Sequence, residues 1–322
     1  MSLSHTPGPT HKGGVRAAVG GLALLALIGL RPESLPGQDW TEFRSSRQAH
    51  VVAESFVLEI VYGVGRLSVE PAEGDLLYDV RMRYDAEQFK PVRQWSLNEG
   101  RGQLRVGLTT LDDDGDWISA LASGDFDIDP ELSLDLDDLK DFDESAGTLE
   151  LKLGRRLPVD LKLSAGAVAT EIALGGVAVS RLELITAASE TELSFDDPNP
   201  VRMAELVIRA GAAELTAERL GNARFDRFDL KGGVGDIVLD FTGEWDGNAT
   251  GTVKMGLGSL ELKIPAEIGV WIQKSSVLTS FSAPDLEKVD GGYRSTNWEG
   301  AEHKLELDLK TAFGTIAVEI VP

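Results

Sequence analysis

The chain has 322 residues, 42% of them apolar, with 35 glycines and no cysteine. A chain of this size and composition buries a core without disulfides, and the missing cysteine excludes thiol nucleophiles, Cys-ligated zinc and a Cys lipid anchor. A formal charge of −22 would repel phosphate backbones and anionic membrane surfaces, which argues against nucleic-acid binding.

At the N-terminus, Lys12 and Arg16 precede an apolar run from Ala17 to Leu30. Fourteen residues suit the apolar stretch of an export signal and fall short of the roughly 20 needed to span a bilayer. Cleavage is expected in Ser34–Gly37, which assigns residues 1–37 to a signal peptide and leaves a remainder near −24 without a membrane span. An uncleaved anchor in the inner membrane is the alternative. The expected address is the periplasm or the cell surface.

From residue 50 onward, apolar residues alternate. Leu149-x-Leu151-x-Leu153, Val159-x-Leu161-x-Leu163, Leu305-x-Leu307-x-Leu309 and Ile316-x-Val318-x-Ile320 all show the two-residue period of strands. A small-residue turn recurs ahead of such runs. Its clearest copies hold Gly63 and Gly65, Gly233 and Gly235, Gly256 and Gly258, and Gly314; looser copies hold Gly166 and Gly211. The first apolar residues after five of these turns are Ile172, Leu193, Leu215, Ile237 and Leu260, which recur every 21 to 23 residues. That period predicts an all-β fold, a single-stranded β-solenoid of the parallel β-helix kind with rungs of ~22 residues. Each rung is expected to hold two or three short strands, with its glycines at corners where φ is positive, Gly233 and Gly256 among them. The closing run, Ile320-Val321-Pro322, is expected at the outer edge, where proline would blunt pairing. An evenly spaced β-sandwich would give a similar spacing of turns.

This reading divides the chain into the signal, an irregular N-terminal β region at 38–147, and the solenoid at 148–322. Residues 111–145 stand apart as an acidic flap. Between Asp112 and Glu144 there are 14 acids and a single base, Lys140. Asp112, Asp114 and Asp116, with Asp125, Asp127 and Asp129, are the candidate ligands of a loosely held calcium ion. The second trio begins like an EF-hand loop, but Pro130 stands where glycine is required and Leu136 where a bidentate glutamate belongs. A solvated acidic flap with no cofactor is the plainer reading.

No catalytic residues are assigned. His5 and His11 lie in the signal, and His50 and His303 are isolated among polar neighbours. The G-x-G turns lack the third glycine and the following helix of a nucleotide site. Trp271 is expected against the core, and Trp117 flanks the acidic flap.

The stretch Leu157–Phe195, LPVDLKLSAGAVATEIALGGVAVSRLELITAASETELSF, resembles the bacterial toast-rack family, and the likeness continues through Leu206–Leu215 and Lys231–Leu239. The closing Leu307–Val321 is similar to the last strand of the cell-wall-active antibiotics response proteins and of adhesin-like β-solenoids. The resemblance covers residues 148–322 well and 50–110 weakly. It implies a cell-envelope protein with no established catalytic residues. Some members are tied to membrane-stress signalling through sensor kinases, and others are adhesin-like. Unlike the stress-response members, this chain lacks several N-terminal membrane helices, and the acidic insert is foreign to the pattern. The expected function is a non-enzymatic envelope module that binds an envelope protein or a surface polymer. An adhesin-like surface role and a weakly calcium-dependent carbohydrate-active role are the alternatives.

Overall fold

The computed structural model describes residues 40–49, 54–110 and 147–322. The described residues belong to one compact unit, Pro32–Pro322. In chain order the strands are β1 (Trp40–Gln48), β2 (Ser55–Pro71), β3 (Leu76–Asp85), β4 (Phe89–Asn98), β5 (Arg101–Thr110), β6 (Thr148–Leu153), β7 (Val159–Ala173), β8 (Val179–Ser194), β9 (Met203–Glu218), β10 (Phe225–Asp240), β11 (Ala249–Pro265), β12 (Gly269–Ser282), β13 (Glu287–Val289), β14 (Gly292–Arg294) and β15 (Lys304–Val321). They join in one sheet ordered β1-β3-β6-β2-β7-β8-β9-β10-β11-β15-β12-β14-β13, with β5 and then β4 alongside β2.

The fold is an all-β solenoid whose central strands, β2, β7 to β11, β15 and β12, pair in parallel. Alternation places every second side chain inside, where it stacks on its register partner in the next rung. One such column is Ile60, Leu163, Leu184, Ile208, Leu230, Val253 and Leu309, all with no exposed surface. A second, beyond the corner, is Val69, Ile172, Leu193, Ala217, Leu239, Leu262 and Val318. The in–out phase changes between the two: Phe228 and Leu230 face inward before the corner of β10, and Ile237 and Leu239 after it.

Several sequence expectations are corrected. Each rung is one continuous strand through the corner, 14 to 18 residues long in β10, β11, β12 and β15, rather than two or three short pieces. The step from β8 to β9 is 24 residues, because Leu182 pairs with Leu206 and Leu193 with Ala217, so Leu193 and Leu215 are not partners. The extra residues lie in the intervening turn, and a shift of two leaves the inward face unchanged. β15 is no edge strand. It slots between β11 and β12, so the chain lays down β12 first and fills the gap last. At the corners, positive φ falls on the second glycine of each pair, Gly65, Gly235 and Gly258, and on Gly314, and not on Gly233 or Gly256.

The N-terminal half of the sheet contains a split rung. β5 pairs with Ser55–Val61 and β6 with Arg66–Pro71 on the same side of β2. Together they occupy one rung, and residues 111–146 enter at its corner. Gly147 (φ +118) serves as the corner glycine there, its carbonyl 2.4 Å from the place of a Cβ on Gly65. The sheet is continuous across the sequence boundary at 147/148, since β2 also pairs with β7.

The turns between rungs are stitched by asparagines. Buried Asn199 donates through Nδ2 to Val179 O (2.8 Å) and Ala223 O (3.1 Å), and its Oδ1 accepts from the Val179 and Val201 amides. Asn222 donates to Phe195 O and accepts from the Glu244 amide. These bonds satisfy backbone groups that no ladder reaches.

The corner stack predicts a sharp contrast between two glycines. A Cβ on Gly258 (φ +136) would stand 1.8 Å from Gly235 O, whereas one on Gly74 (φ +69) meets nothing within 4 Å. Gly258→Ala is expected to cost roughly 3 kcal/mol or more, and Gly74→Ala only about 1 kcal/mol, in urea unfolding.

Candidate functional site along the solenoid corner

The residue between the two small corner positions forms a column of its own. In strand order it is Val64, Ala167, Ala188, Ala212, Val234, Leu257, Phe313 and Leu278. The series begins small and ends large. Ala188 is buried, while Val234, Leu257, Phe313 and Leu278 are 41%, 50%, 49% and 69% exposed. Val277, beside Leu278, is exposed as well. Val234, Leu257 and Phe313 are each followed by a positive-φ glycine, Gly235, Gly258 or Gly314, and Leu278 by Thr279. In β7, β8 and β9 that position holds Val168, Ser189 or Ala213, and the residue before it is alanine. With rungs ~4.8 Å apart, the four large side chains form an apolar ridge ~14 Å long.

Three residues before the ridge runs a cationic column. Arg209, Lys231, Lys254 and Lys310 are register partners on β9, β10, β11 and β15. Arg209 donates to Asp229 Oδ1 at 2.6 Å and Lys310 to Asp308 Oδ2 at 2.6 Å. Lys231 and Lys254 are exposed and have no ion-pair or hydrogen-bond partner among the described residues. Like charges placed directly opposite destabilise a sheet. Packing therefore gives no reason for this column.

The wall beyond the corner differs along its length. Over β8 and β9 it carries Glu190 paired in register with Glu214. On β10 it carries Asp236, which accepts from Ser259 Oγ at 2.6 Å. Over β11, β15 and β12 it carries Ser259, Thr315 and Ser280, with no charge. From β11 to β12 the corner is thus apolar at its crest and neutral just beyond it, with Lys254 and Lys310 on the near side, and Asp236 carries a charge just beyond the crest on β10.

The corner glycines Gly63, Gly65, Gly166, Gly211, Gly233, Gly235, Gly256, Gly258 and Gly314 all lie within the long strands, where Gly166, Gly211 and Gly256 admit the preceding rung's carbonyl within 2.3, 2.3 and 2.6 Å of a would-be Cβ. Asp112, Asp114, Asp116, Asp125, Asp127 and Asp129 lie outside the described residues, as do His50 and Trp117. Among the described residues no group of three or more His, Asp and Glu side chains converges on one point. His303 is half-buried, and its carbonyl accepts from the Gly269 amide. Trp271 is not in the core; it is half-exposed and packs on Trp298, with ring centroids 5.8 Å apart. A shallow hollow near Asn297 is lined by groups already engaged: Asn297 Nδ2 donates to Ala266 O and Ile268 O, and Ser295 Oγ accepts from the Val270 amide. Tyr62 Oη is buried at the split corner without a hydrogen-bond partner among the described residues, and burial pushes its pKa above the ordinary phenol range. The ridge and the lysine column escaped the sequence reading because each is assembled from residues 22 to 56 apart that only the register aligns.

The sequence profile described as the N-terminal domain of toast_rack, DUF2154, matches residues 41–218. The chain belongs to the toast-rack family. No curated protein matches the chain. Among solved structures, the toast-rack chain is similar to a candidate cell-adhesion protein from Clostridium sporogenes, at 15% identity and a TM-score of 0.43, covering 88% of this chain and 100% of that one. A candidate adhesin from Bacteroides fragilis follows at 10% identity and 0.34, covering 87% and 97%. A candidate lipid-binding protein from Parabacteroides distasonis stands at 9% and 0.29, covering 86% and 96%. At these levels their names carry nothing over to this toast-rack chain.

If the ridge serves binding rather than folding, its removal leaves stability nearly untouched. Leu257→Ser and Phe313→Ser are each expected to shift unfolding by less than about 1 kcal/mol, whereas Leu262→Ala in the core costs about 3 kcal/mol. Urea titration followed by tryptophan fluorescence separates the two.

Proposed function

We propose that this toast-rack protein is an exported, non-enzymatic binding module of the cell envelope, and that it engages its partner through the corner ridge. The observation that carries the reading is the in-register exposure of Val234, Leu257, Phe313 and Leu278 beside a column of like charges. Contiguous apolar exposure of this kind marks interaction surfaces. The side chains on display are Val, Leu, Phe and Lys, a set suited to contact rather than to acid–base chemistry near neutral pH. The N-terminal apolar run behind Lys12 and Arg16 supports export. Family resemblance supports the envelope and a link to stress sensing there.

The reading is tested by placing a photo-crosslinking residue at position 257 in cells and fractionating them. Adducts with an envelope component, lipid or protein, are expected, and they are expected to fall when Phe313 and Leu278 are replaced by serine. Absence of adducts, or adducts confined to cytosolic proteins, would overturn it.

A further inference from the structure

We infer that the C-terminal part of the corner docks on an anionic phospholipid surface. The ridge of Val234, Leu257, Phe313 and Leu278 enters the interface, and Lys231, Lys254 and Lys310 meet the headgroup phosphates. The inference rests on the ridge being the binding surface, and it names the partner. The ridge stands on the outward side of a turn, so it fits a surface and not a small molecule enclosed in a pocket. Its four large side chains are 41% to 69% exposed. The lysines stand three residues away along each strand, a distance of ~10 Å. An apolar line beside a basic line is the pattern that seats proteins at a lipid interface: apolar side chains reach the acyl boundary while lysines stay with the headgroups.

The charges around this surface agree. Lys231 and Lys254 have no partner among the described residues, and the wall beyond the ridge is uncharged at Ser259, Thr315 and Ser280. Of the nearby acids, Asp229 and Asp308 are paired with cations, and Asp236 keeps its charge beside Val234. Asp236 accepts from Ser259, Asp308 from Lys310, and Asp229 from Arg209. The charge of −22 belongs to the whole chain, and 13 of those negative charges arise within residues 112–144. Fields of exposed groups are screened within about 8 Å at physiological salt, so the local lysines decide the contact. A soluble polyanion would use the lysines and leave the ridge in water. An apolar protein surface would use the ridge and leave the lysines unmatched.

The test is flotation of residues 32–322 with vesicles of phosphatidylcholine, alone or mixed with phosphatidylglycerol. Those residues form a compact unit of their own, and omitting the N-terminal apolar run prevents it from binding vesicles itself. Binding to the mixed vesicles and not to pure phosphatidylcholine is expected, and it should weaken as salt rises. K231Q/K254Q/K310Q is expected to weaken it on the order of 100-fold. L257S/F313S/L278S is expected to weaken it by a similar factor, with unfolding curves showing both variants folded. No binding by the folded protein overturns the inference. Full binding by the serine variant overturns it in favour of a polyanion. Binding seen only after deletion of residues 112–144 assigns the ridge to the chain's own acidic segment. A dimer in solution that the serine variant dissolves assigns the ridge to a second copy. Protein adducts at position 257 together with no vesicle binding would overturn this inference alone and leave the binding-module reading standing.

Discussion

At the corner of this solenoid the backbones of adjacent rungs approach so closely that a single Cβ cannot be admitted. One on Gly314 would stand 1.8 Å from Gly258 O, one on Gly258 1.8 Å from Gly235 O, and one on Gly235 1.9 Å from Ala213 O. Each contact is made by the next rung's glycine, so the constraint propagates from strand to strand. It holds the rungs in register, and register stacks Ile208 on Leu230 on Val253 on Leu309 in a core without exposed surface. The ridge residues Val234, Leu257 and Phe313 stand directly before these glycines, so the crest runs along the same corner.

Much of this was legible in the chain. Period-two alternation marked the strands, and the recurring glycine turn marked the corners, because both are local consequences of side-chain direction and φ. What stayed hidden depends on which distant segments pair. A slip of two residues at β8–β9 preserves alternation, so the pattern could not tell Leu215 from Ala217 as the partner of Leu193. The insertion of β15 between β11 and β12 leaves no local trace, since Leu307 looks the same beside one neighbour or two. The positive φ was assigned one step too early, to Gly233 and Gly256, because both glycines of a G-x-G turn are sterically permitted to take it and only the contact with the preceding rung decides. The asparagine stitches were missed for a related reason. Asn199 and Asn222 lie in unremarkable turns, and their role appears only once the backbone groups they satisfy are seen to be buried.

The candidate site shows how a solenoid turns sequence periodicity into surface chemistry. Lys231, Lys254 and Lys310 are scattered along the chain, the first two 23 residues apart and the third far downstream. Register brings them to neighbouring strands at ~4.8 Å spacing. A parallel stack repeats any residue type held at one rung position into a continuous line, whereas a globular surface would disperse it. Here one line is basic and the next is apolar. A line of like charge carries a standing electrostatic cost in the sheet, and an apolar crest carries a cost in water. Asp229 and Asp308 offset the charge at Arg209 and Lys310, whereas Lys231, Lys254 and the apolar crest have no such partner among the described residues.

The split rung sharpens this point. Residues 111–146 enter at the corner of the rung formed by β5 and β6, with Gly147 keeping the glycine position. A corner is the one place where a rung can be opened without breaking a ladder, because pairing is complete on both sides of it. Thr110 and Gly147, which flank the acidic segment, and the basic-apolar surface lie on the same corner line. An insertion within either half-strand would have shifted alternation and turned core residues outward. Confining the insertion to the corner leaves the core columns on either side intact.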